Sequence, residues 1–284
     1  MSERADTSGD ERPATLGELA SGLRVVRPED LPGPAPRTLN FHGETVYVTG
    51  RQATVHVTPR AEVSCPLTVG PVPVPDSAPQ PRTGVGQRLA EALAEHGSVL
   101  LSGPGGVGKS QLAAAHAHRA LATGASRFVL WADATDGPSL TASYADAARR
   151  LLLPGLPARD LDRQAAAFVE WFRTPGPSAL VVLDDLADPA ALTDGLPHST
   201  AEDRRVLATT RLRGASLGGV LGTVVAVGTF DPAESLAFLR ARVLASEVDY
   251  LAEDGHTPRL AELGEELGHL PLALGYAAAA MVRE

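Results

Sequence analysis

The sequence predicts an α/β fold: a five-stranded parallel sheet with flanking helices, followed by the start of a helical lid. Three observations predict it. From Arg82 onward, short apolar runs alternate with helical stretches, as parallel strands joined by crossover helices require. Residues 98–102 and 179–183 are strongly apolar, as buried strands are. Beyond Pro232 the strand signals stop and helical patterning takes over.

Taken in order, residues 1–80 read as an irregular Pro-rich arm, because eleven of the 23 prolines fall between Pro28 and Pro81 and little of the stretch has helical periodicity. Inside it, the alternating run Thr-Val-Tyr-Val-Thr at 45–49 returns nine residues later as Thr-Val-His-Val-Thr at 54–58, which predicts a β-hairpin. A partner could also dock on such a strand pair. Residues 81–230 carry the sheet, with strands at 98–102, 127–132, 179–183, 205–209 and 224–227. Helices are predicted at 85–96, 110–122, 140–152 and 160–172, the second stopped by Gly124. Residues 231–284 read as a helical lid.

Composition narrows the function. With 284 residues, 44% of them hydrophobic, the chain can bury a substantial core. Its net charge of -9 argues against a surface built to hold nucleic acid or anionic lipid. Cys65 is the single cysteine, the first residues lack the apolar core of a signal peptide, and no apolar stretch approaches the ~20 residues of a membrane span. A soluble, cytoplasmic protein is the expectation. His116 and His118 are two residues apart, so on a helix they face different ways and make a poor metal pair.

Residues 103–110, Gly-Pro-Gly-Gly-Val-Gly-Lys-Ser, match G-x4-G-K-[ST] between an apolar run and a helix, the context of a phosphate-binding P-loop. Gly103, Gly105, Gly106, Val107 and Gly108 would turn backbone N–H groups toward phosphates, helped by the helix start at Ser110 and Gln111. Lys109 would neutralise phosphate charge. It is the only lysine among 25 basic residues, and a compact ammonium suits a tight loop better than a guanidinium fork.

Three further stretches bear on chemistry. Residues 180–185, Leu-Val-Val-Leu-Asp-Asp, form an apolar strand ending in two carboxylates. Asp184 would serve magnesium, and Asp185 would orient or deprotonate an attacking water. The pair is not needed as a helix cap, since Asp188 and Pro189 supply that start. Arg211 ends the strand Val-Leu-Ala-Thr-Thr at 206–210, where ligands of open parallel sheets bind. Gly268 to Leu274, Gly-His-Leu-Pro-Leu-Ala-Leu, is by itself a helix–helix corner with Gly268 as stop and Pro271 opening the next turn.

In this order the four motifs resemble the NB-ARC group of STAND-type signalling ATPases, the actinobacterial members especially, over roughly residues 70–284. The resemblance implies a P-loop NTPase core and a lid with ATP or ADP between them, magnesium as cofactor, and a switch that self-associates in its ATP state and hydrolyses slowly. Lys109, Asp185 and Arg211 would then be catalytic, with Arg211 sensing the γ-phosphate; Ser110 and Asp184 would hold magnesium, and Pro271 would pack near adenine. The group's Gly-Arg element before the P-loop is represented only by Pro81 to Gly84, which makes Arg82 a further nucleotide contact. Glu284 falls inside the expected lid, ahead of the winged-helix segment and its ADP-sensing histidine. The trigger and effector have no signature in the sequence.

Other readings are a self-sufficient P-loop enzyme such as a small-molecule kinase, a nucleotide-binding module without turnover, and a nucleic-acid motor. No acceptor site or basic substrate clamp supports the kinase, and the acidic balance disfavours the motor.

Overall fold

Strands form where β-branched and leucine-rich runs can be covered on both faces, and the structure, a computed structural model, shows where that cover comes from. It describes residues 37–41, 44–48, 56–58, 65–74, 82–188, 203–212, 223–244 and 257–281. Pro189 lies outside them. The chain divides into two compact units, residues 1–62 and 63–284.

In the first unit, β1 (Arg37–Phe41), β2 (Glu44–Val48) and β3 (His56–Thr58) make an antiparallel sheet in that order. The predicted hairpin is β2 with β3, in the register Thr45–Thr58 and Tyr47–His56. β1 was not anticipated.

The second unit holds β4 (Leu67–Val69), α1 (Thr83–His96), β5 (Ser98–Ser102), α2 (Lys109–Ala122), β6 (Phe128–Asp133), α3 (Gly137–Arg150), α4 (Leu161–Arg173), β7 (Ala179–Asp184), β8 (Arg204–Thr210), β9 (Thr223–Ala226), α5 (Pro232–Leu244), α6 (Thr257–Glu266) and α7 (Pro271–Met281). Its six strands lie in the order β4-β6-β7-β8-β5-β9, each neighbouring pair parallel. The sequence predicts five. The sixth, β4, is three residues long between Pro66 and Pro71, too short to show a period, and it sits at the sheet edge, where proline is tolerated.

Side chains of successive strand residues point to opposite faces, so each strand feeds two cores. Leu100, Leu130, Val181 and Leu183 pack with Tyr144, Phe168 and Phe172 of α3 and α4. Val99, Leu101, Val129 and Val182 pack with Leu89 of α1 and with Ala113 and Ala117 of α2. Alanines on the buried face of α2 let that helix lie close to the sheet. The lid has its own core of Phe230, Phe238, Leu239, Leu260, Leu274 and Ala278.

Helix boundaries have chemical causes. Asp136 and Asp160 cap α3 and α4 by accepting from the backbone N–H groups of Ser139 and Arg163. α5 opens with a reciprocal box: the Asp231 carboxylate accepts from Glu234 N at 2.7 Å, and the Glu234 carboxylate accepts from Asp231 N at 3.0 Å. Among the described residues no helix is long and apolar enough to cross a membrane.

Candidate functional site

The sheet order decides which side chains meet. β8 lies between β5 and β7, so the end of β8 stands between the phosphate-type loop that follows β5 and the carboxylates that end β7. Residues at these C-terminal strand ends border a cleft of about 1390 Å3, closed from the other side by the lid. Gly105, Gly106, Val107, Gly108, Lys109, Ser110, Gln111, Asp184, Asp185, Arg211 and Pro271 all line it. Gly103 stands just behind the lining: its N–H donates to Thr210 O, and a side chain there would collide with the Val227 carbonyl oxygen.

Lys109 begins α2 and is 7% exposed. Its ammonium donates to the carbonyls of Gly103 (3.0 Å) and Pro104 (2.9 Å), folding back on its own loop. Burial pulls its pKa below the ordinary lysine value; Asp185 and Asp184 oppose that shift and Arg211 adds to it.

Oxygen atoms converge on Asp184. Its Oδ1 accepts from Ser110 Oγ and from Thr209 Oγ1, both at 2.7 Å. Thr209, 1% exposed, also accepts from the backbone N–H of Asp185 at 2.9 Å. One hydroxyl thus holds the Asp184 carboxylate and the Asp185 backbone. The sequence of 206–211 points to Arg211 and not to Thr209, whose partners are set by strand order.

Asp185 has φ 56°, in the left-handed region that costs most residues energy and that Asp tolerates better than most. The bend turns its carboxylate to Arg211, which grips it with two bonds, Nε to Oδ1 at 3.1 Å and Nη2 to Oδ2 at 2.8 Å. The two residues expected to handle water and the γ-phosphate therefore engage each other here.

The lid touches the loop directly. Leu272 N, in the first turn of α7, donates to Gly106 O at 3.1 Å. Gly106 has φ 78°, and a side chain there would press on Leu272 Cβ at 3.0 Å, so only glycine suits both the turn and the contact. Tyr276, one turn along α7 and 73% exposed, lines the same cleft with Phe230 and Phe238. Leu272, Tyr276, Phe230 and Phe238 are not singled out by the sequence, since an apolar lid helix gives no sign of which face meets a ligand.

Arg82 reaches the cleft, but its donors go to main-chain carbonyls: Nη1 to Val107 O at 2.9 Å, Nη2 to Gly228 O and Thr229 O at 2.8 Å each. Among the described residues no cluster of three His, Cys, Asp or Glu could by itself cage a metal ion.

No family model and no curated protein matches the chain. Among solved structures it is similar to a Walker-type ATPase of Pyrococcus abyssi, at 16% identity and a TM-score of 0.48 over 72% of this chain and 67% of that one. Cdc6p from Pyrobaculum aerophilum matches at 15% identity and 0.43, over 72% and 66% of the two chains. A Signal Transduction ATPase with Numerous Domains bearing a tetratricopeptide repeat sensor, from Pyrococcus horikoshii, matches at 17% and 0.39, over 66% and 28%. The chain thus spans about two thirds of the first two and little more than a quarter of the third. Identities of this order accompany shared folds with unrelated substrates. By its own geometry the chain has the parallel α/β fold of P-loop NTPases, with the Gly-rich turn leading from β5 into α2.

Proposed function

We propose that this chain binds ATP or ADP with magnesium and serves as the nucleotide-dependent regulatory switch of a STAND-type signalling ATPase, hydrolysing slowly and self-associating in its ATP state. The observation that carries the reading is the bond from Leu272 of the lid to Gly106 of the phosphate loop. A loop that holds phosphates and also holds the lid can convert occupancy into lid position, which a pure catalyst does not need. Residues 81–230 would be the nucleotide-binding core and 231–284 the lid.

The residue roles follow from the chemistry of each group. Backbone N–H groups from Gly105 to Ser110, with Gln111 in the first turn of α2, lie at the positive end of that helix and suit phosphate oxygens, while Gly103 allows the close turn behind them. The Lys109 ammonium, held meanwhile by two neutral carbonyls, would gain more from phosphate. Magnesium takes oxygen ligands and is commonly held by one or two protein groups plus phosphates, which fits Ser110 Oγ and Asp184 Oδ1 with Thr209 Oγ1 behind them. When bound it would neutralise phosphate charge. Asp185 would orient water once Arg211 leaves it for the γ-phosphate, and Pro271 would pack beside the base.

The test is the affinity of wild type and Lys109→Ala for ATP and ADP, with turnover measured alongside. Removing a charge-assisted contact of about 1.5–3 kcal/mol should weaken both nucleotides by about 10- to 150-fold. Unchanged affinity would end the phosphate-loop reading. Rapid phosphoryl transfer to an added small acceptor would replace the switch with a kinase.

A further inference from the structure

We infer that Arg82 is a positioning residue that ties the helical lid to the phosphate loop, setting a loop peptide plane from the same guanidinium that holds the lid's connector. It rests on the switch reading only for its nucleotide-dependent consequence.

The guanidinium stands at the crossing of three segments. Arg82 directly precedes α1 and its side chain makes no capping bond to that helix. Its side chain instead crosses to Val107 O in the loop and to Gly228 O and Thr229 O in the connector between β9 and α5. It also lies 5.1 Å from the ring centroid of Phe230, whose ring packs against Phe238 of the lid at 5.5 Å. A planar fork can serve several carbonyls at once, and a lysine ammonium of the same reach cannot hold that geometry. Nε is buried without a hydrogen-bond partner, and burial lowers the pKa of the group.

Peptide planarity gives these bonds their consequence. In a trans peptide the C=O and N–H point in opposite directions. Drawing the Val107 carbonyl toward Arg82 therefore turns the Gly108 N–H the other way. Leu272 acts likewise on the preceding peptide: by holding Gly106 O it turns the Val107 N–H away from itself. Two consecutive phosphate-loop N–H groups are thus aimed, one by the lid through Leu272 and one by Arg82, which also holds the lid's connector. Moving the lid releases the plane that Leu272 holds, and loosening Arg82 releases the other plane together with the lid's connector.

The acidic neighbours do not hold Arg82. Asp231 and Glu234 face it electrostatically but spend their carboxylates on each other's backbone N–H groups at the start of α5. Among the described residues the cation is held by neutral carbonyls and an aromatic face.

The experiment uses the full chain with Cys65→Ser and spin labels at Glu95→Cys on α1 and Glu265→Cys on α6, both exposed. The nucleotide-free protein should give one narrow inter-label distance. Arg82→Ala should broaden it, Arg82→Lys should broaden it less, and the exposed control Arg88→Ala should leave it unchanged. If Arg82→Ala does not fold by circular dichroism, Arg82→Lys decides. Nucleotide affinity should fall about tenfold in Arg82→Ala, as expected for losing one charge-assisted hydrogen bond of about 1.4 kcal/mol. A narrow distance in the Arg82 variants overturns the inference, even if affinity falls. A wild type that binds no nucleotide overturns the proposed function, while the distance in the nucleotide-free protein still decides this one.

Discussion

Thr209→Val removes one oxygen from the centre of the site while keeping shape. Thr209 is 1% exposed and its Oγ1 does two jobs, donating to Asp184 Oδ1 at 2.7 Å and accepting from Asp185 N at 2.9 Å. Losing a hydrogen bond to a charged carboxylate costs about 1.5–3 kcal/mol, and leaving a buried N–H without its acceptor costs about 1–3 kcal/mol. The two losses share one atom and are not additive, so about 2–3 kcal/mol is the reasonable sum. For a unit of this size that lowers the melting temperature by about 4–12 °C. Thermal unfolding without nucleotide reads the cost, and magnesium titration of ATP binding reads the effect on Asp184. A melting temperature within 1 °C of wild type, with magnesium dependence intact, would refute the claim that this hydroxyl holds the Asp184 carboxylate and the Asp185 backbone in place.

Arg211→Ala should abolish any preference for ATP over ADP while leaving ADP affinity within about twofold, because an exposed ion pair such as Arg211 with Asp185 contributes less than about 1 kcal/mol; equal loss for both nucleotides by competition binding would contradict γ-phosphate sensing. His116 on α2 has its pKa held below the ordinary 6.5, first by burial and then by Arg119. As pH falls through 6.5 the unfolded chain takes up the proton before the folded one, so this contribution is complete above 6.5 and stability declines below it toward the folded value. His116→Gln should flatten that decline in denaturant melts at pH 7 and pH 5.

The parts legible in the sequence are those written in one stretch of chain. The loop at 103–110 declares itself because tight turning, N–H donation and a compact cation each need a particular residue type in a fixed order. The strands at 98–102 and 179–183 are equally plain, since burial on two faces leaves their centres, Val99 to Leu101 and Ala179 to Leu183, wholly apolar. What was not legible depends on residues far apart. Thr209 matters because β8 is inserted between β5 and β7, a fact of strand order that no local pattern carries. Arg204, 2% exposed and stacked 4.1 Å over Trp171, reads as a surface arginine until α4 is folded against it. β4 escaped because three residues between prolines have no period, and the lid's grip on Gly106 because a backbone N–H leaves no mark in sequence.

Under the proposed function, the Asp185–Arg211 pair would join binding preference to turnover in a way that a single substitution can separate. With side chains 38% and 69% exposed, the pair is wet, and its bidentate geometry contributes at most about 1 kcal/mol. If the site takes ATP as proposed, a γ-phosphate would recruit Arg211 at little cost by displacing Asp185. Removing that competitor leaves Arg211 free at all times. Asp185→Ala should accordingly raise the preference for ATP over ADP, by up to about fivefold from about 1 kcal/mol, while hydrolysis falls because the carboxylate proposed to orient water is gone. Binding and turnover would move in opposite directions. Fluorescent-nucleotide competition and phosphate release, run on one preparation, measure the two separately. If ATP preference falls along with hydrolysis, Asp185 supports the γ-phosphate contact instead of withholding Arg211 from it, and the pair is a scaffold for ATP, not a latch against it.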